Sequence, residues 1–149
     1  MATSYCFEER WLLPIDRQAT YDVLADLEHY PEWWPQIKAV AKLGEDHALV
    51  VCRSVLPMNL HLELRPVTRD PQRGRLEVSI DGDLLGFSRF TLTSTGGALD
   101  VHYEQEVVTR GWLLEASRWL RPVVRANHSV MMRSAQRGLR ARVSAPASG

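Results

Sequence analysis

Two hydrophobic periodicities divide the chain: a two-residue alternation over most of its length and a helical repeat near its end. The alternation begins at once, because Tyr5, Phe7 and Trp11 occupy one set of odd positions in residues 5–13. A strand places such positions on one face of a sheet. We therefore predict a first strand over residues 5–13, which Pro14 ends.

A short helical region follows this strand. Asp16 is a suitable N-cap residue for a helix over residues 17–25, because its side chain can accept a backbone N–H from the first turn. Residues 27–36 contain Pro31 and Pro35, each of which removes a backbone donor and restricts the residue before it. These prolines predict a broken, single-turn helix that ends in a loop.

The alternation returns between residues 37 and 109 and predicts six consecutive strands. Leu60, Leu62 and Leu64 share one face of the third of these strands, and Pro66 predicts a bulge in it or an early end to its pairing. Short links with Gly, Asp and Pro separate the strands, and such links favour an antiparallel meander. The predicted strands are residues 37–43, 48–56, 59–68, 74–81, 85–94 and 98–109.

The helical repeat predicts one long helix over residues 114–143, which Pro122 should kink or divide. Its apolar stripe comprises Leu120, Val124, Met131, Ala135 and Leu139. Its opposite face comprises Arg118, Arg121, Arg125, Arg133, Arg137 and Arg140. We expect a disordered tail over residues 144–149, so that one domain occupies residues 1–143.

Composition agrees with one soluble domain, because 45% of the 149 residues are hydrophobic and 24% are charged. The start of the chain lacks a signal-peptide pattern, so we expect a cytoplasmic protein with Cys6 and Cys52 reduced. Neither cysteine lies in a zinc-binding spacing, and no glycine-rich phosphate loop is present. We therefore expect no metal and no cofactor.

Three stretches of the chain are distinctive: residues 24–36 (LADLEHYPEWWPQ), residues 84–93 and residues 119–139. They resemble the START-like (SRPBCC) superfamily, in its polyketide cyclase/dehydrase and lipid transport branch. Residues 24–36 are similar to the segment after the family's first helix. Residues 84–93 resemble its Gly-then-aromatic strand, and residues 119–139 resemble its closing helix. The resemblance implies an α+β helix-grip fold, in which a curved seven-stranded antiparallel sheet wraps around a long C-terminal helix, with two short helices between strands 1 and 2.

The resemblance also implies a cavity between sheet and helix for a lipid, polyketide-like or aromatic molecule, with no shared catalytic motif. Tyr103 and Gln105 are the polar groups that we expect to orient a ligand, or to pair with Asn127 or His128 instead. One of the paired tryptophans should reach the cavity, and Arg53 faces either the ligand or solvent. The candidate ligand-binding residues are Trp33, Trp34, Arg53, Leu62, Val78, Phe90, Tyr103, Gln105, Val124, His128 and Met131.

Two alternatives to a non-catalytic carrier remain open. A cyclase or dehydratase would need His128, Tyr103 or Arg53 to converge on the cavity, with His128 as acid or base. An interaction module would use the basic end of the chain, where residues 110–149 hold eight arginines and one acid, Glu115. Such a face can attract RNA or anionic lipid, although a charged helix face is usually only solvated and here lacks interleaved aromatic residues.

The His61/Glu63 and His102/Glu104 pairs do not predict a shared metal site, because both pairs should face solvent with two strands between them. We expect no DNA partner and either a monomer or a dimer.

Overall fold

The computed structural model describes residues 4–53, 59–109 and 121–144 and contains seven strands and two α-helices in these ranges. A 3₁₀ helix (Leu27–Glu32) lies between the first α-helix and the second strand. The elements are β1 (Ser4–Leu13), α1 (Arg17–Ala25), β2 (Ile37–Gly44), β3 (His47–Cys52), β4 (Leu60–Asp70), β5 (Arg75–Gly82), β6 (Leu84–Thr95), β7 (Ala98–Thr109) and α2 (Arg121–Ser144).

The strands form one antiparallel sheet in the order β1-β7-β6-β5-β4-β3-β2. The meander from β2 to β7 agrees with the predicted order. β1 adds the seventh strand at the β7 end of the sheet and pairs with β7 over its whole length. In the described sheet β1 and β2 are the two end strands. β2 carries the exposed Lys38 and Lys42, and its pairing with β3 is irregular at two points.

Local sequence signals account for several of the element boundaries. The Asp16 carboxylate accepts the Ala19 backbone N–H at 2.8 Å and so caps α1 as predicted. Pairing between β4 and β5 shifts after Pro66, which confirms the bulge. Gly96 and Gly97 both have positive φ, +53° and +88°, so the β6–β7 hairpin needs glycine at these two positions.

Most predicted strand boundaries lie within two residues of those in the structure, and the end of β3 differs most. β3 ends at Cys52 rather than residue 56, and residues 54–58 lie outside the described part of the chain. Of the predicted final helix, residues 114–120 are not described, and α2 runs to Ser144. Pro122 is the second described residue of α2, and the described helix continues from it without a break to Ser144. Residues 145–149 also lie outside the described chain.

The core lies between the sheet and the helices. α2 contributes His128, Met132, Ala135 and Leu139, whose spacing of three and four residues is that of one helix face. Leu120, which was predicted for this stripe, is not among the described residues. None of the described helices is both long enough and apolar enough to cross a bilayer.

Candidate functional site

A cavity of about 250 Å³ lies between the inner face of the sheet and α2. On the sheet side, alternate side chains of β4, β5, β6 and β7 face the cavity. On the helix side, α2 contributes Val124, Asn127, His128 and Met131. The side chains are mainly aliphatic or aromatic. From the sheet, the lining includes Leu60, Leu62, Leu64, Leu76, Val78, Ile80, Phe90 and Val107.

Four uncharged polar side chains form a connected group at this cavity. Ser88 Oγ lies 3.1 Å from the Tyr103 hydroxyl, which donates a hydrogen bond to Gln105 Oε1. His128 Nε2 lies 3.2 Å from the same Gln105 oxygen. We call Ser88, Tyr103, Gln105 and His128 the polar cluster. Register brings it together, because Ser88 is opposite Gln105 across β6 and β7.

Burial controls the ionisation of the polar cluster. His128 is 9% exposed, and desolvation lowers its pKa to about 4. Its ring stacks on Phe7, with 3.6 Å between the centroids. Burial raises the pKa of Tyr103, although the hydrogen bond from Ser88 acts in the opposite direction. At neutral pH the imidazole is therefore uncharged and the phenol is protonated.

Comparison with known proteins identifies the family. Residues 13–116 match the family model described as polyketide cyclase / dehydrase and lipid transport. The chain belongs to this family. A search of curated proteins finds no significant match.

Solved structures of similar fold support the architecture of this family member. TTHA0849 from Thermus thermophilus has a TM-score of 0.80 at 16% identity, with 97% of this chain and 100% of that chain covered. The Zhui aromatase/cyclase from Streptomyces sp. R1128 has a TM-score of 0.74 at 16% identity, and the match covers 99% of this chain and 100% of that chain. A START superfamily protein from Mycobacterium smegmatis has a TM-score of 0.72 at 15% identity, and the match covers 93% of this chain and 96% of that chain. These matches confirm the helix-grip fold.

The two tryptophans of this polyketide cyclase/dehydrase and lipid transport family member have different positions. Trp34 lines the cavity, and its Nε1 donates to the Met131 carbonyl of α2 at 3.0 Å. Trp33 is not part of the cavity lining and packs against α2 at Gly138. The sequence predicted one tryptophan for each role without distinguishing them.

The remaining candidate residues also lie at the cavity, including Arg53 at its edge. The Arg53 side chain is exposed, and its backbone N–H donates to the Gln36 carbonyl at 2.7 Å. Arg53 therefore differs from the buried Tyr103 and His128 in being exposed to solvent. Ser88 was missed by the sequence analysis, although its position two residues before Phe90 places it on the same strand face.

The structure separates the two His-x-Glu pairs as expected. β5 and β6 lie between β4, which carries His61 and Glu63, and β7, which carries His102 and Glu104. His102 instead pairs with Glu8 on β1, at 3.0 Å. Within residues 4–53, 59–109 and 121–144, no three metal-ligating side chains form a candidate metal site.

The described basic face of α2 is exposed at Arg125, Arg133, Arg137 and Arg140. The Arg125 guanidinium lies 5.8 Å from the Tyr5 ring centroid, and it therefore covers the end of β1. Arg142 pairs with Glu32 at 3.3 Å. Arg118 lies outside the described residues, and the side chain of Arg121 is not described.

Proposed function

We propose that this protein binds and carries a hydrophobic small molecule of lipid, polyketide-like or aromatic type in the cavity beneath α2. The observation that carries the proposal is an apolar cavity of about 250 Å³ whose polar cluster is uncharged and internally hydrogen-bonded. An apolar cavity of about 150 Å³ is already large enough for benzene. The space available here therefore suits a ligand larger than one ring.

Burial of the ligand's apolar surface supplies the affinity. Removing such surface from water contributes about 25 cal/mol per Å², before the costs of association are subtracted. Met131 and Trp34 both border the cavity, and the hydrogen bond from Trp34 Nε1 to the Met131 carbonyl holds the indole against α2. An aromatic wall with fixed geometry favours a flat ligand.

Carriage fits the chemistry of the polar cluster better than a cyclase or dehydratase reaction does. A general base works best when its pKa is near the ambient pH. His128 has a pKa of about 4 and accordingly is a weak base at neutral pH. Its hydrogen-bond partner, Gln105, does not ionise and so cannot pass a proton on as a carboxylate would.

A pair of tryptophan substitutions on neighbouring residues of α2 tests the proposal. Met131 borders the cavity, whereas Val130 is 52% exposed and does not border it. In Met131→Trp the larger side chain should fill the cavity and abolish binding of the uncharged probe N-phenyl-1-naphthylamine. Wild type and Val130→Trp should bind the probe, with the fluorescence increase that follows its removal from water.

Native mass spectrometry of gently purified protein supplies a second measurement. We expect a co-purifying small molecule on wild type and Val130→Trp, and none on Met131→Trp. Circular dichroism should show that both variants are folded. The proposal is wrong if wild type neither fluoresces with the probe nor carries a small molecule, or if both variants bind the probe as wild type does.

A further inference from the structure

With Gln105 Oε1 as the shared acceptor, the polar cluster has one consistent arrangement of its protons. Gln105 Oε1 is a carbonyl oxygen and can only accept, so Tyr103 and His128 both donate to it. His128 therefore carries its proton on Nε2. Because the single Tyr103 hydroxyl proton is directed at Gln105, Ser88 is the donor in the 3.1 Å contact with Tyr103.

These bonds leave the other end of the Gln105 amide for a ligand. Gln105 Nε2 carries two N–H donors, and none of the described residues provides an acceptor for them. Gln105 is half-buried and borders the cavity, whose lining also includes Val107 and Val124. Covering these donors with an apolar ligand would leave them unpaired, at a cost that a suitable acceptor on the ligand removes.

The amide is held in position before any ligand arrives. Phe7 stacks on the His128 ring at 3.6 Å, and Phe90 packs against the Tyr103 ring with 4.9 Å between centroids. Both donors to Gln105 Oε1 are therefore fixed by aromatic neighbours. A polar group oriented in advance loses less entropy on binding and gives a stronger preference for the matching ligand group.

Three kinds of ligand oxygen meet these donors differently. A carboxylate would bring a negative charge to the polar cluster, which contains no cation to pair with it. The cationic lining residues Lys42, Arg53 and Arg69 are exposed, and the lining also contains the acidic residues Asp26, Glu28, Glu45 and Glu77. A hydroxyl would bring a proton of its own, and Gln105 Oε1 already accepts two hydrogen bonds. A ketone, quinone or ester carbonyl accepts without either cost.

We propose that the ligand is an uncharged hydrophobic molecule with a carbonyl oxygen, and that Gln105 is the residue that selects it by donating from Nε2. This inference rests on the proposed carrier function and adds the chemical class of the ligand. It assigns Ser88, Tyr103 and His128 to positioning, because they act on the ligand through Gln105.

Two probes of matched shape test this selection. 2-Acetylnaphthalene carries a carbonyl oxygen, and 2-isopropenylnaphthalene has a methylene group in its place. One neutral hydrogen bond should make the ketone bind wild type roughly 2- to 13-fold more tightly than the hydrocarbon. Gln105→Met keeps the side chain's length but removes the amide, so it should abolish the preference for the ketone over the hydrocarbon.

The side-chain amide of Gln105 gives a direct signal in a ¹H–¹⁵N spectrum. Its pair of peaks is identified as the pair that is missing from the spectrum of Gln105→Met. The ketone should shift this pair more than the hydrocarbon does. The matched control is Gln18→Met on the exposed face of α1, which should keep the ketone preference. Equal binding of both probes by wild type overturns the selection by Gln105 and leaves the carrier function standing. Failure of both probes to bind wild type contradicts the carrier function itself.

Discussion

At the scale of single residues, His128 illustrates how burial determines what a side chain can do. A histidine near the apolar stripe of a helix is compatible with catalysis, with ligand contact and with simple packing. Here the ring lies against Phe7 and donates to Gln105 in a desolvated position. The sequence placed His128 at the cavity, but its partner is 23 positions away in the chain and only the fold brings the two together.

The ionisation of His128 predicts a specific pH dependence of stability. Its pKa is lowered from 6.5 to about 4 in the folded protein, so between these values the unfolded chain binds a proton that the folded chain does not. Its contribution to stability is therefore complete above pH 6.5 and is lost as the pH falls towards 4. Denaturant unfolding at several pH values should show this loss, and His128→Gln should remove it.

Nuclear magnetic resonance provides the internal control for this prediction. The exposed His29 forms a hydrogen bond with Asp26, which raises the pKa of its imidazole. Its ring protons should titrate above pH 6.5, whereas those of His128 should titrate near pH 4. An inflection near 6.5 for His128 would show that the ring is hydrated and that the stability argument fails.

At the scale of elements, patterns within one segment were predictable, and close contacts between segments were not. Asp16 marks the start of α1 and Pro66 marks the bulge in β4, because both act on neighbouring backbone. The same reasoning could not decide between Trp33 and Trp34. Their different environments depend on which one meets α2 at Gly138 and which one meets the cavity.

The contact between α2 and Trp33 predicts an unusually sensitive glycine. A Cβ atom on Gly138 would lie 1.7 Å from the Trp33 carbonyl oxygen, a backbone atom that cannot rotate away. Alanine normally stabilises a helix relative to glycine, but here the overlap should dominate and cost about 1–3 kcal/mol or more. Chemical denaturation of Gly138→Ala should show the loss of unfolding free energy.

A second glycine separates this overlap from the general effect of adding a methyl group. Nothing lies within 4 Å of the position that a Cβ on Gly44 would occupy. Gly44→Ala should therefore leave the unfolding free energy nearly unchanged. If Gly138→Ala proves as stable as wild type, α2 and the Trp33 segment are farther apart than described.

At the scale of the whole molecule, the cavity is part of the same core that stabilises the fold. One buried cluster includes Trp34, Phe90 and Tyr103, and a second includes Tyr5 and Val107. Leu62 and Leu64 pack against both clusters and also line the cavity. A ligand in this position touches both parts of the core, so its binding should be coupled to global stability.

This coupling predicts a shift in thermal unfolding. A ligand at about 100 times its dissociation constant stabilises the native state by about 2.7 kcal/mol. For a domain of this size each kcal/mol raises Tm by roughly 2–4 °C. Differential scanning calorimetry with 2-acetylnaphthalene should show such a rise for wild type and for Val130→Trp. An equal rise in Met131→Trp would indicate that the probe binds elsewhere.

The end strands of the sheet have a consequence for how copies of the protein behave in concentrated solution. An end strand presents unpaired backbone groups and can template the addition of a strand from another molecule. The chain's only lysines, Lys38 and Lys42, both lie on β2, and the same strand is irregularly paired. A neighbouring copy that extended the sheet there would have to desolvate two ammonium groups and match a distorted register. The arrangement therefore opposes edge-to-edge association at β2, independently of whether the cavity is filled.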